Sequence, residues 1–150
     1  MSVWKMIASD YTIPEVRPQT EYPLEINLDE GTVFDGNADD NFFLLQFLDD
    51  MSEYSDLKQG VTLAWNYYTE GRAKRIIEII NDTLHHTERV ELWNFWLGYL
   101  EYERPIIKTI TIPIGELSPI EIEKWDKQEV WNSPARPGDR PHFYCLRIIR

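Results

Sequence analysis

Apolar and polar residues alternate at Val61, Leu63, Trp65 and Tyr67, the period of a strand with one buried face. Ile76, Ile77, Ile79, Ile80 and Leu84 then recur at helical spacing, which predicts a helix over residues 72–86. A Trp-rich apolar run at 90–97 and renewed alternation at 106–114 predict two more strands. The pattern Ser118-Pro119-x-Glu121 is a helix start, with serine at the cap, proline in the first helical position and glutamate able to reach back. Leu117 and Ile122 are spaced to clamp that start from both sides, and the helix is expected to reach residue 130.

The flanks read less sharply. Residues 3–8 form a first strand, and Leu24, Ile26 and Leu28 alternate with Glu25 and Asn27 in a short second one. Pro14, Pro18 and Pro23 keep the segment between them extended or looped. A polar loop over 29–40 leads to Asp39 and Asp40, either of which can cap a helix beginning near residue 41. Leu44, Phe47, Leu48 and Met51 would be its buried stripe, with Gln46, Asp49, Asp50 and Glu53 facing away. Residues 133–141 hold three prolines and form a loop, and 142–149 closes the chain as a strand.

Six strands and three helices result, in one α+β domain spanning 1–150: a mixed sheet with helices packed mainly on one face. The strands at 61–67 and 90–97 would be parallel around their helix. Those at 90–97 and 106–114 could pair as a long-looped hairpin, and Ile77 and Ile110 are assigned to the core.

Composition supports a self-sufficient core. With 43% apolar residues in 150, the chain can bury enough surface without staples. Its one cysteine, Cys145, leaves no partner for an intrachain disulfide. The N-terminus lacks the basic-then-apolar order of a signal peptide. The longest apolar run, at 42–48, is too short to span a bilayer, so a reducing, cytoplasmic setting is expected.

Charge changes the picture more. The net charge of −11 argues against nucleic acid or an anionic membrane as partner. Residues 1–60 hold 13 acids and 3 bases, whereas residues 61–150 hold 13 acids and 12 bases. Between Arg17 and Lys58 stand eleven acids and no Lys, Arg or His. Asp49, Asp50, Glu53 and Asp56 crowd the expected C-terminal end of the 41–51 helix, where negative charge opposes the helix dipole. Solubility alone accounts for an acidic surface. Recognition of a basic protein accounts for its placement as well.

Other constellations are weaker. Asp35-x-Asn37-x-Asp39 opens like a calcium loop, but Asp40 stands where the turn needs Gly and Gln46 where it needs a bidentate Glu. His85 and His86 are adjacent, hence about 100° apart on a helix, and do not form a metal-binding pair with Glu88. Arg72, Lys74 and Arg75 follow Gly71 at a helix N-terminus and could attract an anion or pair with the acidic half. Trp125, Trp131, Arg136 and Arg140, with His142, surround the proline-rich loop and could line a ligand pocket. Cys145 lies in an apolar strand, where a thiol is ordinary packing.

No catalytic motif and no cofactor or metal site emerges. The reading is a non-catalytic acidic protein that binds a basic protein surface, as an inhibitor or immunity-type protein would. A Trp/Arg-lined ligand-binding protein or enzyme, and a structural homodimer subunit, are the alternatives.

Overall fold

The computed structural model describes residues 3–47, 51–97, 104–127 and 141–150. Within them the strands are β1 (Val3–Ser9), β2 (Glu25–Asn27), β3 (Thr32–Phe34), β4 (Phe43–Gln46), β5 (Gln59–Ala64), β6 (Arg89–Trp96), β7 (Ile107–Pro113) and β8 (Phe143–Ile149). The helices are α1 (Glu70–Leu84) and α2 (Pro119–Lys127), with single 3-10 turns at Met51–Glu53 and Ile114–Glu116. Six strands make one mixed sheet in the order β4-β5-β1-β6-β8-β7, and β2 and β3 form a separate hairpin. The expected α+β domain is therefore present, with two α-helices among the described residues.

Helical crossovers organise the sheet. The chain leaves β5, passes through α1 and returns in β6, and β1 lies between the two strands, antiparallel to both. β5 and β6 are therefore parallel, as expected, though not adjacent. β7, α2 and β8 repeat the crossover with directly paired parallel strands. The expected β6–β7 hairpin does not form, because β8 inserts between them, antiparallel to β6. Nothing local in either strand encodes that insertion.

Each face of the sheet carries a core. On the helix face, Ile7, Leu44, Val61, Leu63, Val90, Leu92, Leu146 and Ile148 pack against Ala73, Ile76 and Ile80 of α1 and Ile122 and Trp125 of α2. The opposite face is aromatic: Met6, Ala8, Trp93, Phe95, Phe143 and Cys145 lie under Leu57, with Phe47 and Tyr54 packed alongside. This explains why β6 is buried at nearly every position: a central strand with two covered faces loses its alternation. The buried Glu91 on the aromatic face is satisfied by donors from Ser55 Oγ (2.5 Å), Arg147 Nε (2.8 Å) and Trp93 Nε1 (3.2 Å).

The helix expected to begin near residue 41 does not form over Phe43–Gln46. Phe43–Gln46 is instead the edge strand β4, paired antiparallel to β5. A short apolar run fits either period, and pairing with β5 decides it here. The free side of β4 is covered by the proline-bounded segment, through Val16 N–H to the Leu44 carbonyl (2.9 Å), its reciprocal (2.8 Å) and Gln46 Nε2 to the Ile13 carbonyl (2.8 Å).

The start of α1 follows from its residues. Thr69, in extended conformation, caps α1 by accepting from Arg72 N–H at 3.1 Å. Thr69→Ala is expected to cost about 0.5–2 kcal/mol. An unchanged urea midpoint would show that the cap contributes nothing. α2 begins at Pro119, and Leu117 and Ile122 both reach the core around that start. Of the residues assigned to the core from sequence, Ile77 packs partly buried against it, whereas Ile110, on the edge strand β7, is 37% exposed.

Candidate functional site

The acidic half is anchored by one buried ion pair. Arg72 is wholly buried and Asp35 is 2% exposed, with Arg72 Nη2 donating to Asp35 Oδ1 at 2.8 Å. Arg72 Nε and Nη1 donate to the Ala38 and Tyr67 carbonyls at 3.1 and 3.0 Å, and the guanidinium lies 4.9 Å from the Tyr67 ring centre. Asp35 also accepts from Asn66 Nδ2 (3.0 Å) and Asn37 N–H (3.2 Å). Burial opposes ionisation of Asp35, but Arg72 and the surrounding donors outweigh it and hold its carboxyl well below the usual carboxylate range.

Two motifs singled out from sequence thus resolve into each other. The Asp35 loop resembles the opening of a calcium site, yet its first carboxylate is committed to Arg72 and Asn66. Arg72 resembles an anion-binding residue, yet its anion is Asp35. Lys74 and Arg75 pair with Glu70 and Glu78 along the surface of α1. Asp39 sits at a helix N-terminus, but that of α1: its carboxylate fills the space a side chain at Gly71 would need, with Oδ1 1.6 Å from the position of such a Cβ. Negative charge is favourable there.

From this anchor projects the β2–β3 hairpin. Its base is tied on both sides: Asp35 follows β3 directly, and the Tyr22 hydroxyl, ahead of β2, donates to the Asp40 carboxylate. At its tip Asn27 Oδ1 accepts from the Asp29 and Glu30 amides, both at 3.1 Å, and Gly31 takes a left-handed φ of +66°. Ile26 pairs with Val33 across the ladder, so these two share one face, with Leu24 just ahead of β2 and Leu28 in the turn after it. All four are exposed, Leu28 by 89%. Glu25, Asp29 and Glu30 are exposed beside them and belong to none of the ion pairs among the described residues.

The four acids first assigned to partner binding have different fates. Asp49 and Asp50 lie outside the described residues. Glu53 is exposed in the 3-10 turn Met51–Glu53. Asp56 is exposed but engaged by Arg89, which holds its carboxyl below the ordinary range. No helix dipole groups them, because Phe43–Gln46 is the strand β4 where a helix was expected.

Of the ligand-pocket residues, Trp131, Arg136 and Arg140 also lie outside the described residues, while Trp125 is fully buried in the core under α2. Its carbonyl accepts from Asn94 Nδ2, and its indole N–H and Asn94 Oδ1 are buried without hydrogen-bond partners among the described residues. His86 stacks on Tyr11 with ring centres 4.2 Å apart. Burial pushes the Cys145 thiol far up, which keeps it protonated and inert. Among the described residues no three His, Cys, Asp or Glu side chains gather as metal ligands, and no helix is long and apolar enough to cross a membrane.

Compared with protein-family models, with curated proteins and with solved structures, the chain gives no match.

Proposed function

We propose that this chain is a non-catalytic interaction protein whose acidic N-terminal half binds a basic protein surface, in the manner of an inhibitor or immunity-type protein. The observation that carries the reading is how unevenly charge is compensated. Most described cations of the second half are matched to acids, as in Lys74–Glu70, Arg75–Glu78, Lys124–Glu121, Lys127–Glu123 and Arg147–Glu91. Between Arg17 and Lys58 there is no cation at all, and Glu21, Glu25, Asp29, Glu30 and Glu53 stand exposed there. Such a one-sided field accelerates encounter with a positive partner and repels a negative one.

Asp49, Asp50 and Glu53 remain the acids to test for steering. The triple variant Asp49→Asn, Asp50→Asn, Glu53→Gln is expected to keep the wild-type melting temperature. It should slow association with a basic partner isolated at low salt, because long-range steering comes from such charges. Wild-type association at low salt would reduce these acids to a solubility face.

A further inference from the structure

We propose that the β2–β3 hairpin is the docking element of this protein, and that its occupant is a basic protein surface with an apolar centre. The inference rests on the interaction reading above and adds the place and chemistry of contact.

Fold stability does not account for this hairpin. Every residue of β2 and β3 is exposed, and neither strand joins the main sheet. A two-stranded hairpin is marginal alone, and burying an apolar face is the usual way to stabilise one. Here Ile26, 59% exposed, stands opposite Val33 on one face, with Leu24 (54%) ahead of the strand and Leu28 (89%) in the turn beside it. A grouped apolar surface rimmed by polar residues marks an interaction site, whereas scattered exposed leucines do not.

Its geometry is prepared for contact. The base is tied through Asp35 to the buried Arg72 and through Tyr22 to Asp40, and the tip is shaped by Asn27 and Gly31. Holding the element in place before binding removes part of the ordering cost of association. An open hollow of about 630 Å³ runs along it, lined by Ile26, Leu28 and Phe34 and equally by the polar residues Glu25, Asn27 and Asp29.

Charge selects the occupant. Glu21, Glu25, Asp29 and Glu30 are exposed in the hairpin's stretch of chain, and no base occurs from residue 18 to residue 57. A second copy of the chain would bring the same acids against them, and like charges facing each other oppose docking. A surface bearing lysines or arginines around an apolar centre satisfies both the apolar residues and the acids beside them.

The test uses two short peptides of equal charge, one alternating lysine with leucine and one alternating lysine with serine. The wild-type chain should bind the lysine–leucine peptide about tenfold more tightly, with backbone amide shifts concentrated at residues 24–34. Ile26→Ser with Leu28→Ser should abolish that preference and leave the melting temperature unchanged, since both side chains are more than half exposed. Glu25→Gln with Asp29→Asn and Glu30→Gln should weaken both peptides. Equal affinity for the two peptides, or shifts centred away from the hairpin, would overturn the assignment. So would a wild-type dimer in sedimentation that Leu28→Ser dissolves, which would identify a second copy as the occupant. If both peptides bind equally and lose binding only in the Asp49, Asp50 and Glu53 triple variant, the acidic interaction reading stands and the hairpin assignment falls. If neither peptide binds at low salt, both fall.

Discussion

Asp35→Ala is expected to lower stability by about 3–5 kcal/mol, because it leaves the Arg72 guanidinium buried without its counter-charge. Against a total of roughly 5–15 kcal/mol for a domain of ordinary stability, that loss is large enough to leave a substantial unfolded population on warming. Arg72 is held on three sides, by Asp35 and by the Ala38 and Tyr67 carbonyls, so it cannot reach water without dismantling the start of α1 and the loop after β3. Removing both charges, by Asp35→Ala with Arg72→Met, should recover part of the loss, since no unpaired charge then remains buried. Urea unfolding of the two single variants and the double variant measures this coupling directly. A single variant with wild-type stability would contradict the anchor.

The same pair sets a pH dependence. Asp35 titrates lower in the folded protein than in the unfolded chain, so the unfolded chain takes up this proton first as pH falls. The pair's contribution is therefore complete above the unfolded carboxylate range, near pH 4, and is lost progressively as pH falls below it toward the depressed folded value. Asp35→Asn should flatten the acid limb of the stability curve.

The second large effect is expected at Ile80. Its side chain is wholly buried between α1 and the sheet, so Ile80→Asp places an uncompensated charge in the main core and should prevent stable folding. Ile110→Asp is the contrast. On the exposed edge strand β7 it should cost about 1 kcal/mol or less, because a charge there reaches water. Soluble Ile80→Asp protein with the wild-type melting temperature would show that the helix face is misassigned.

These contrasts also mark what the sequence made legible. Local pattern located β1, β5, α1, β6, β7, α2 and β8: alternation or helical spacing in most of them, an unbroken run in β6, and the start signal at Ser118-Pro119 in α2. It failed at Phe43–Gln46, where Leu44 and the neighbouring Phe47, Leu48 and Met51 also satisfy a helical spacing. Two aspartates before that run looked like caps, yet Asp39 lies against Gly71 and Asp40 accepts from Tyr22. Strand order was beyond local reading, since the insertion of β8 between β6 and β7 is a tertiary event.

Of the candidate site, the absence of bases between Arg17 and Lys58 was plain in the sequence, and so was the alternation of Leu24, Ile26 and Leu28. Alternation implies a buried face, so it could not reveal that this one is uncovered. The Asp35–Arg72 pair joins residues 37 apart. Its signal was indirect: a cation in the first turn of a helix, where the dipole disfavours it, needs a carboxylate from elsewhere in the chain.

The proposed recognition of a positively charged protein by the acidic half is tested most directly by the ionic-strength dependence of association with a purified basic partner. The wild-type association rate is expected to fall by about tenfold or more between roughly 0.01 M and 0.15 M ionic strength, while dissociation changes far less. An association rate that stays flat across that range would contradict the claim and leave the acids a solubility surface.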